Sequence, residues 1–321
     1  MTTATTVHRF HPGELEVQRR AGVAREAARL EGMLAAPRLD GGAANFLARR
    51  EFAVVTAHDA DGRLWTSPLL GPAGFLEAHG STLDVHAAVP DTDPLAGLPV
   101  GQQAGLIAIE FAIRRRFRVN GTVTVADAHG LTIDADQAYG NCPAYIQQRV
   151  FEHVDGSERS GRSAGEEGAV SGVTRGGLTD EARSLIRGAD TFFLGTVHPE
   201  RGADTSHKGG LPGFVRVEGD ELWWPDYAGN NMFNSLGNLA VNPEASLLFL
   251  DFAGGHTLQL SGTAELQWVV PGSAGDDGET GRRVRCRVSA IAAGATLPIR
   301  SSHADPSAHN PRLSEPGRAI R

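Results

Sequence analysis

Short apolar runs rich in β-branched and aromatic residues recur along the chain, at 52–57, 82–87, 106–111 and 117–125, then at 191–197, 221–224, 246–252 and 257–268. Turn signals separate them, among them Asp61-Gly62, Gly71-Pro72, Arg201-Gly202 and Gly219-Asp220. This spacing predicts short antiparallel strands in a barrel or sandwich rather than a parallel sheet. Helix-forming stretches are few. They fall at 13–35, at 43–50, at 143–153 with Pro143 in the first turn, and at 178–187 with Thr179 as N-cap.

The strand pattern repeats. Thr56 and His58 correspond to Thr196 and His198, 140 residues further on. Ser67, Gly74-Phe75 and Leu83 correspond to Ser206, Gly213-Phe214 and Leu222 at 139, and Ile109-Glu110-Phe111 to Leu250-Asp251-Phe252 at 141. A period this long describes a duplicated domain, not a solenoid. Residues 155–177 are Gly-, Ser- and charge-rich with almost no large apolar side chain, which predicts a flexible linker. The expected division is 1–154, a helical segment with the first, degenerate copy; 155–177, the linker; and 178–321, the second copy with a C-terminal arm after Pro298, packed on the body or partly disordered.

Composition narrows the function. The chain has 321 residues, 40% hydrophobic, with a formal charge of −8. An acidic balance argues against nucleic acid, which needs a basic face. No run of 18 apolar residues argues for a membrane span, and the first thirty residues lack a signal-peptide pattern, so a cytoplasmic protein is expected. Cys142 and Cys286 cannot form a disulfide framework or a four-thiolate zinc site, and the twelve histidines show no metal spacing. The expected partners are small molecules or copies of the chain itself.

Four segments carry candidate chemistry. Asn230, Asn231, Asn234 and Ser235 crowd hydrogen-bonding side chains before a helical turn, either an anion site at a helix N-terminus or a capped polar loop. Lys208 is the one lysine among thirty basic residues; strand alternation puts Ser206 and Lys208 on one face and His207 on the other. A hydroxyl beside a compact ammonium suits a phosphate, and a surface lysine is the plainer alternative. Arg114-Arg115-Arg116 and Arg118 read as a solvated edge or an anion contact, with Arg116 and Arg118 sharing a face. Residues 139–149 present Asn141 and Tyr145, and Cys142 reads as a structural thiol.

The order of the second copy, with Ser206-His207-Lys208, Leu222–Pro225, then Asn238-Leu239, Asn242-Pro243 and Ser246-Leu247-Leu248-Phe249, resembles the flavin-binding split barrel of the pyridoxamine 5′-phosphate oxidase superfamily. From Phe10-His11-Pro12-Gly13-Glu14 to Arg300 the chain is similar to a subgroup with two split barrels in one polypeptide, described as predicted flavin-nucleotide-binding proteins. The resemblance implies a mainly β protein with six-stranded antiparallel Greek-key barrels in tandem, forming an intrachain pseudo-dimer, alone or as a homodimer. It implies FMN in the cleft between the barrels, the phosphate on the second copy. Phe233-Asn234-Ser235 stands where the oxidases carry Ser-Arg-Lys, so Lys208, Ser206 and Arg116 would supply the missing charge. One of Trp223 and Trp224, the latter taken as the candidate, would face the ring. The expected function is an FMN-dependent oxidoreductase acting on a small molecule, with NAD(P)H as a candidate reductant. A non-catalytic flavin or haem binder, another flavin-like cofactor, and a cofactor-free interaction module are the alternatives. No catalytic acid or base stands out.

Overall fold

The computed structural model describes residues 9–154, 173–174 and 176–314. Helices α1 (Pro12–Arg20), α2 (Ala24–Ala28) and α3 (Gly42–Leu47) precede the first sheet. That sheet comprises β1 (Phe52–His58), β2 (Leu64–Leu70), β3 (Leu76–His79), β4 (Thr82–Val85), β5 (Gln103–Glu110), β6 (Arg115–Asp127) and β7 (Gly130–Gly140). Short β8 (Glu152–His153) and α4 (Asp180–Gly188) follow, Thr179 Oγ1 capping α4 by accepting from Ala182 N. The second sheet comprises β9 (Thr191–His198), β10 (Gly202–Gly209), β11 (Arg216–Glu218), β12 (Glu221–Pro225), β13 (Glu244–Leu250), β14 (His256–Trp268) and β15 (Arg282–Thr296), with α5 (Asn234–Val241) between β12 and β13. β16 (Ile299–Arg300) pairs with β8.

The strand orders, β2-β1-β5-β6-β7-β4-β3 and β10-β9-β13-β14-β15-β12-β11, are the same order twice, and every neighbouring pair is antiparallel. β2 and β3 follow each other in sequence yet lie at opposite sheet edges, so the chain crosses from one edge to the other. The sheet curls around one core, to which β1 to β7 contribute Val55, Trp65, Leu76, Leu83, Leu106, Val119 and Ile133. The second barrel repeats this with Phe192, Leu222, Trp224, Leu247, Leu260 and Val284.

The two barrels share a third apolar cluster. Phe52, Val54, Ile107, Ile109 and Phe111 meet Phe193, Leu248, Leu250 and Ile299, all buried. Each such side chain contributes ~1.5–3 kcal/mol on leaving water. Glycine sets how near the barrels come: a Cβ on Gly195 would stand 2.4 Å from Thr66 Oγ1, and one on Gly105 2.7 Å from Asp204 Cα.

Three expectations need correction. Each sheet has seven strands rather than the six the resemblance implies, and β3 and β11 among them are only four and three residues long. Residues 143–153 form no helix: Tyr145 adopts φ 65°, which ends a right-handed turn, and the backbone of Gln148 bridges to Asp305 instead. The run at 114–118 is a solvated edge only at Arg115, which is exposed: Arg118 is buried, and Arg114 donates to Ile146 O and Gln148 Oε1. The C-terminal arm packs on the body through β16, Ser301 and Ser307. The expected linker lies mostly outside the described residues; within it, Thr174 pairs with Ile291. Among the described residues, no helix is long and apolar enough to cross a membrane.

Candidate functional site

A cleft between the barrels gathers all twelve candidate residues. β6 and the turn after β7 supply Arg116, Arg118, Asn141 and Tyr145 from the first barrel. β10 supplies Ser206, His207 and Lys208, β12 Trp224, and the loop into α5 Asn230, Asn231, Asn234 and Ser235. The cleft has a cavity volume of about 120 Å³.

Strand alternation aims the floor. Asp204, Ser206 and Lys208 alternate along β10 with His207 between them. Asp204 is buried and binds Arg118 at 2.8 Å, accepts from Ser235 Oγ at 2.7 Å and from Asn120 Nδ2 at 3.3 Å. Arg118 also donates to Ser206 Oγ at 3.1 Å and to Tyr139 Oη at 3.1 Å. Arg118 is therefore neutralised in place. Arg116 differs: its Nη1 donates to His207 Nδ1 at 2.8 Å and to His207 O at 3.2 Å, and among the described residues its Nε has no partner and no carboxylate pairs with it. Burial, then neighbouring Arg118, pulls its pKa down to about 10, the mark of a buried cation short of a counter-charge. Lys208 Nζ reaches Asp226 Oδ1 only at 4.0 Å, while Arg282 holds the other oxygen at 2.8 Å. Burial lowers the Lys208 pKa as well.

His207 accepts from Arg116 through Nδ1, so its proton sits on Nε2, enclosed between Phe111 and Phe193 at ring distances of 6.1 and 5.7 Å. Burial and then Arg116 drive its pKa well below 6.5, and it stays neutral. Its part is to aim Arg116.

The loop into α5 is bent by Asn231 and Phe233, both at φ 61°. A left-handed backbone at a non-glycine residue costs ~1–3 kcal/mol and is kept where surroundings impose it. Phe233 is the N-cap and offers no side-chain bond, so the first turn of α5 opens on the cleft uncapped. Behind it, α1 packs so closely that a Cβ on Gly237 would stand 2.7 Å from Glu14 N. His11 Nε2 meets Asn238 Oδ1 at 3.1 Å, and Glu14 Oε2 accepts from His11 N at 2.8 Å.

At the mouth, Tyr145 and Tyr227 lie with ring centroids 5.0 Å apart, and Tyr145 Oη donates to Ala228 O at 2.8 Å. The C-terminal arm braces this wall through Ser307 Oγ, which accepts from Tyr145 N at 3.2 Å. Trp224 is buried at the cleft, while Trp223 stacks outside it under Arg216 and Arg283.

Among the described residues, six buried atoms on these walls have no protein partner: Arg116 Nε, Arg118 Nε, Asn141 Oδ1, His207 Nε2, Trp224 Nε1 and Tyr227 Oη. Buried polar groups are normally satisfied. With two under-compensated cations and a free helix start, the donor set fits a phosphate. The cavity volume of about 120 Å³ is below the roughly 300 Å³ of common small-molecule pockets and suits a small anionic group such as a phosphate. Sequence reasoning missed Asp204, Asp226, Tyr227 and Phe233. Asp204 was within reach, since the Ser206/Lys208 alternation extends one step back to it. Among the described residues, no group of three or more His, Cys, Asp or Glu side chains is placed to hold a metal ion.

A tandem of antiparallel split barrels with a cationic cleft between them defines the class. The family model described as Pyridoxamine 5′-phosphate oxidase matches residues 178–271, so the likeness to that superfamily holds for the second barrel. Among solved structures, the chain is similar to HupZ of Group A Streptococcus (18% identity, 37% of this chain and 98% of that one, TM-score 0.31). It is also similar to a protein related to general stress protein 26 from Clostridium acetobutylicum (17%, 38% and 90%, 0.28). A third is HutZ, the haem storage protein of Vibrio cholerae (15%, 38% and 98%, 0.28). No curated protein matches the chain.

Proposed function

We propose that the chain binds FMN in the interbarrel cleft and acts as an oxidoreductase on a small molecule. The carrying observation is the half-buried Arg116 guanidinium, without a carboxylate partner among the described residues, beside Lys208 and the uncapped start of α5. The phosphate would lie against these three, and the ring in the mouth between Trp224 and the Tyr145–Tyr227 pair. The match of residues 178–271 to an oxidase family supports the same reading.

Bound flavin would supply the electron-transfer chemistry, and the chain's residues hold and orient it. Arg116 and Lys208 neutralise the phosphate in a low-dielectric setting, where each charge-assisted bond is worth ~1.5–3 kcal/mol. Burial pushes the Tyr145 and Tyr227 hydroxyls up from 10, so both stay protonated at neutral pH; Tyr145 gives its hydrogen to Ala228 O, which leaves Tyr227 Oη as the donor for the ring. His207 is enclosed and engaged with Arg116, so the cleft turns no open imidazole toward haem iron or a substrate.

FMN fluorescence titration tests the reading: quenching with a Kd in the micromolar range or below is expected, and no saturation overturns it. Turnover of NADH or NADPH with a dye acceptor then separates an enzyme from a flavin-binding protein without activity.

A further inference from the structure

The pseudo-two-fold that builds one cleft builds a second, equivalent place, and strand register locates it. Arg118 stands opposite Ile107 on β5, and Gln259 opposite Leu248 on β13. Ser206 stands opposite Leu194 on β9, and Ser67 opposite Val55 on β1. Gln259 thus takes the place of Arg118, and Ser67 that of Ser206. The bond across the barrels survives the exchange: Arg118 Nη2 donates to Ser206 Oγ at 3.1 Å, and Gln259 Nε2 to Ser67 Oγ at 2.8 Å. By the same register Thr257 replaces Arg116, and Leu69 replaces Lys208.

What fills the second place is the segment 89–101, counterpart of the loop and helix at 226–243. It forms turns, sends Leu95 and Leu98 into the first core, and delivers Asp93. Asp93 is buried. Its Oδ1 accepts from Ser67 Oγ at 2.6 Å and from Leu95 N at 2.8 Å, and its Oδ2 from Gln259 Nε2 at 3.0 Å. All three donors are neutral. The open cleft holds cations short of an acid, and the other holds an acid bonded to neutral donors alone.

We propose that Asp93 is a built-in anion that closes the second cleft, so that the chain takes one phosphorylated ligand rather than the two its duplication would allow. This rests on the proposed function, since the open cleft must bind a phosphate ester for the comparison to have content. Burial raises the Asp93 carboxyl above its ordinary range, as expected of a carboxylate without a cation.

Calorimetric titration with FMN decides it, on the wild-type chain, on Arg116→Ala/Lys208→Ala, and on Asp93→Asn. One FMN per wild-type chain is expected. The double variant, with an unaltered far-UV spectrum, should lose about 100-fold or more in affinity, and Asp93→Asn should keep one site with affinity within about threefold. Two FMN per wild-type chain would overturn the inference and leave the proposed function standing, whereas a full-affinity site remaining in the double variant, or lost binding in a folded Asp93→Asn chain, would overturn both. A wild-type chain that takes no FMN contradicts the proposed function, and the one-ligand inference falls with it. The wild-type stoichiometry decides the matter without any variant having to fold.

Discussion

Where Arg116 and Lys208 line the open cleft, Thr257 and Leu69 stand at the matching points of the closed one; where α5 turns an uncapped start toward the space, residues 89–101 bring in Asp93. The sheets behind both places share one strand order and one crossing hydrogen bond. Duplication therefore fixed the frame, and the charge of a few side chains decided which half stayed open. A buried cation is tolerated where an incoming anion can meet it, whereas a site supplied with its own carboxylate has no use for cations.

The largest effect should come from breaking the asymmetry at its charged end. Arg116→Ala is expected to weaken FMN binding about 100-fold, whereas Gln259→Ala, which removes the closed cleft's counterpart of Arg118, should lower stability by ~1–3 kcal/mol and leave FMN affinity unchanged. Paired titration and thermal melts check this, and equal losses of affinity in both would erase the distinction between the clefts.

Next comes the brace behind the open cleft, which has no helix counterpart at 89–101. Gly237→Ala drives a methyl into Glu14 and should cost ~2–3 kcal/mol by overpacking, read as a lower Tm and weaker FMN retention. An unchanged Tm would show that α1 and α5 do not depend on this contact.

Glu14 sharpens the same brace through pH. Burial raises its pKa from 4.5 to about 7. A carboxyl raised on folding adds stability that is complete below pH 4.5 and lost as pH climbs through about 7. Glu14→Gln should therefore flatten the decline in Tm between pH 5 and 8, a difference of about 2 kcal/mol; a parallel decline in both proteins would place the titrating group elsewhere.

The smallest effect concerns aim rather than charge. His207→Leu removes the acceptor that orients Arg116 and should weaken FMN binding about tenfold, while His207→Asn, keeping an acceptor, should restore most of it. Equal affinities in the two variants would leave His207 a packing residue only.

Much of this was legible beforehand. The 139–141-residue correspondences anticipated two sheets of identical order, because repeated apolar and turn positions fix register. The twelve candidate residues share one cleft because β10 alternation and the loop before α5 are local patterns that survive folding. Asp93 was not legible as a plug, since its partners Ser67 and Gln259 lie 26 and 166 residues away. Tyr145 carries no local sign of its positive φ, which the C-terminal arm and the Ala228 carbonyl impose from outside. The split between Arg116 and Arg118 depends on which of them meets Asp204, a contact made between barrels.

The most direct measurement is a crystal structure of the chain soaked with FMN. The account predicts one flavin per chain, its phosphate within hydrogen-bond range of Arg116 and the first turn of α5, and its ring against Trp224 and Tyr145. Density for the flavin at any other surface, with the Arg116–Lys208 cleft left to solvent, would contradict it.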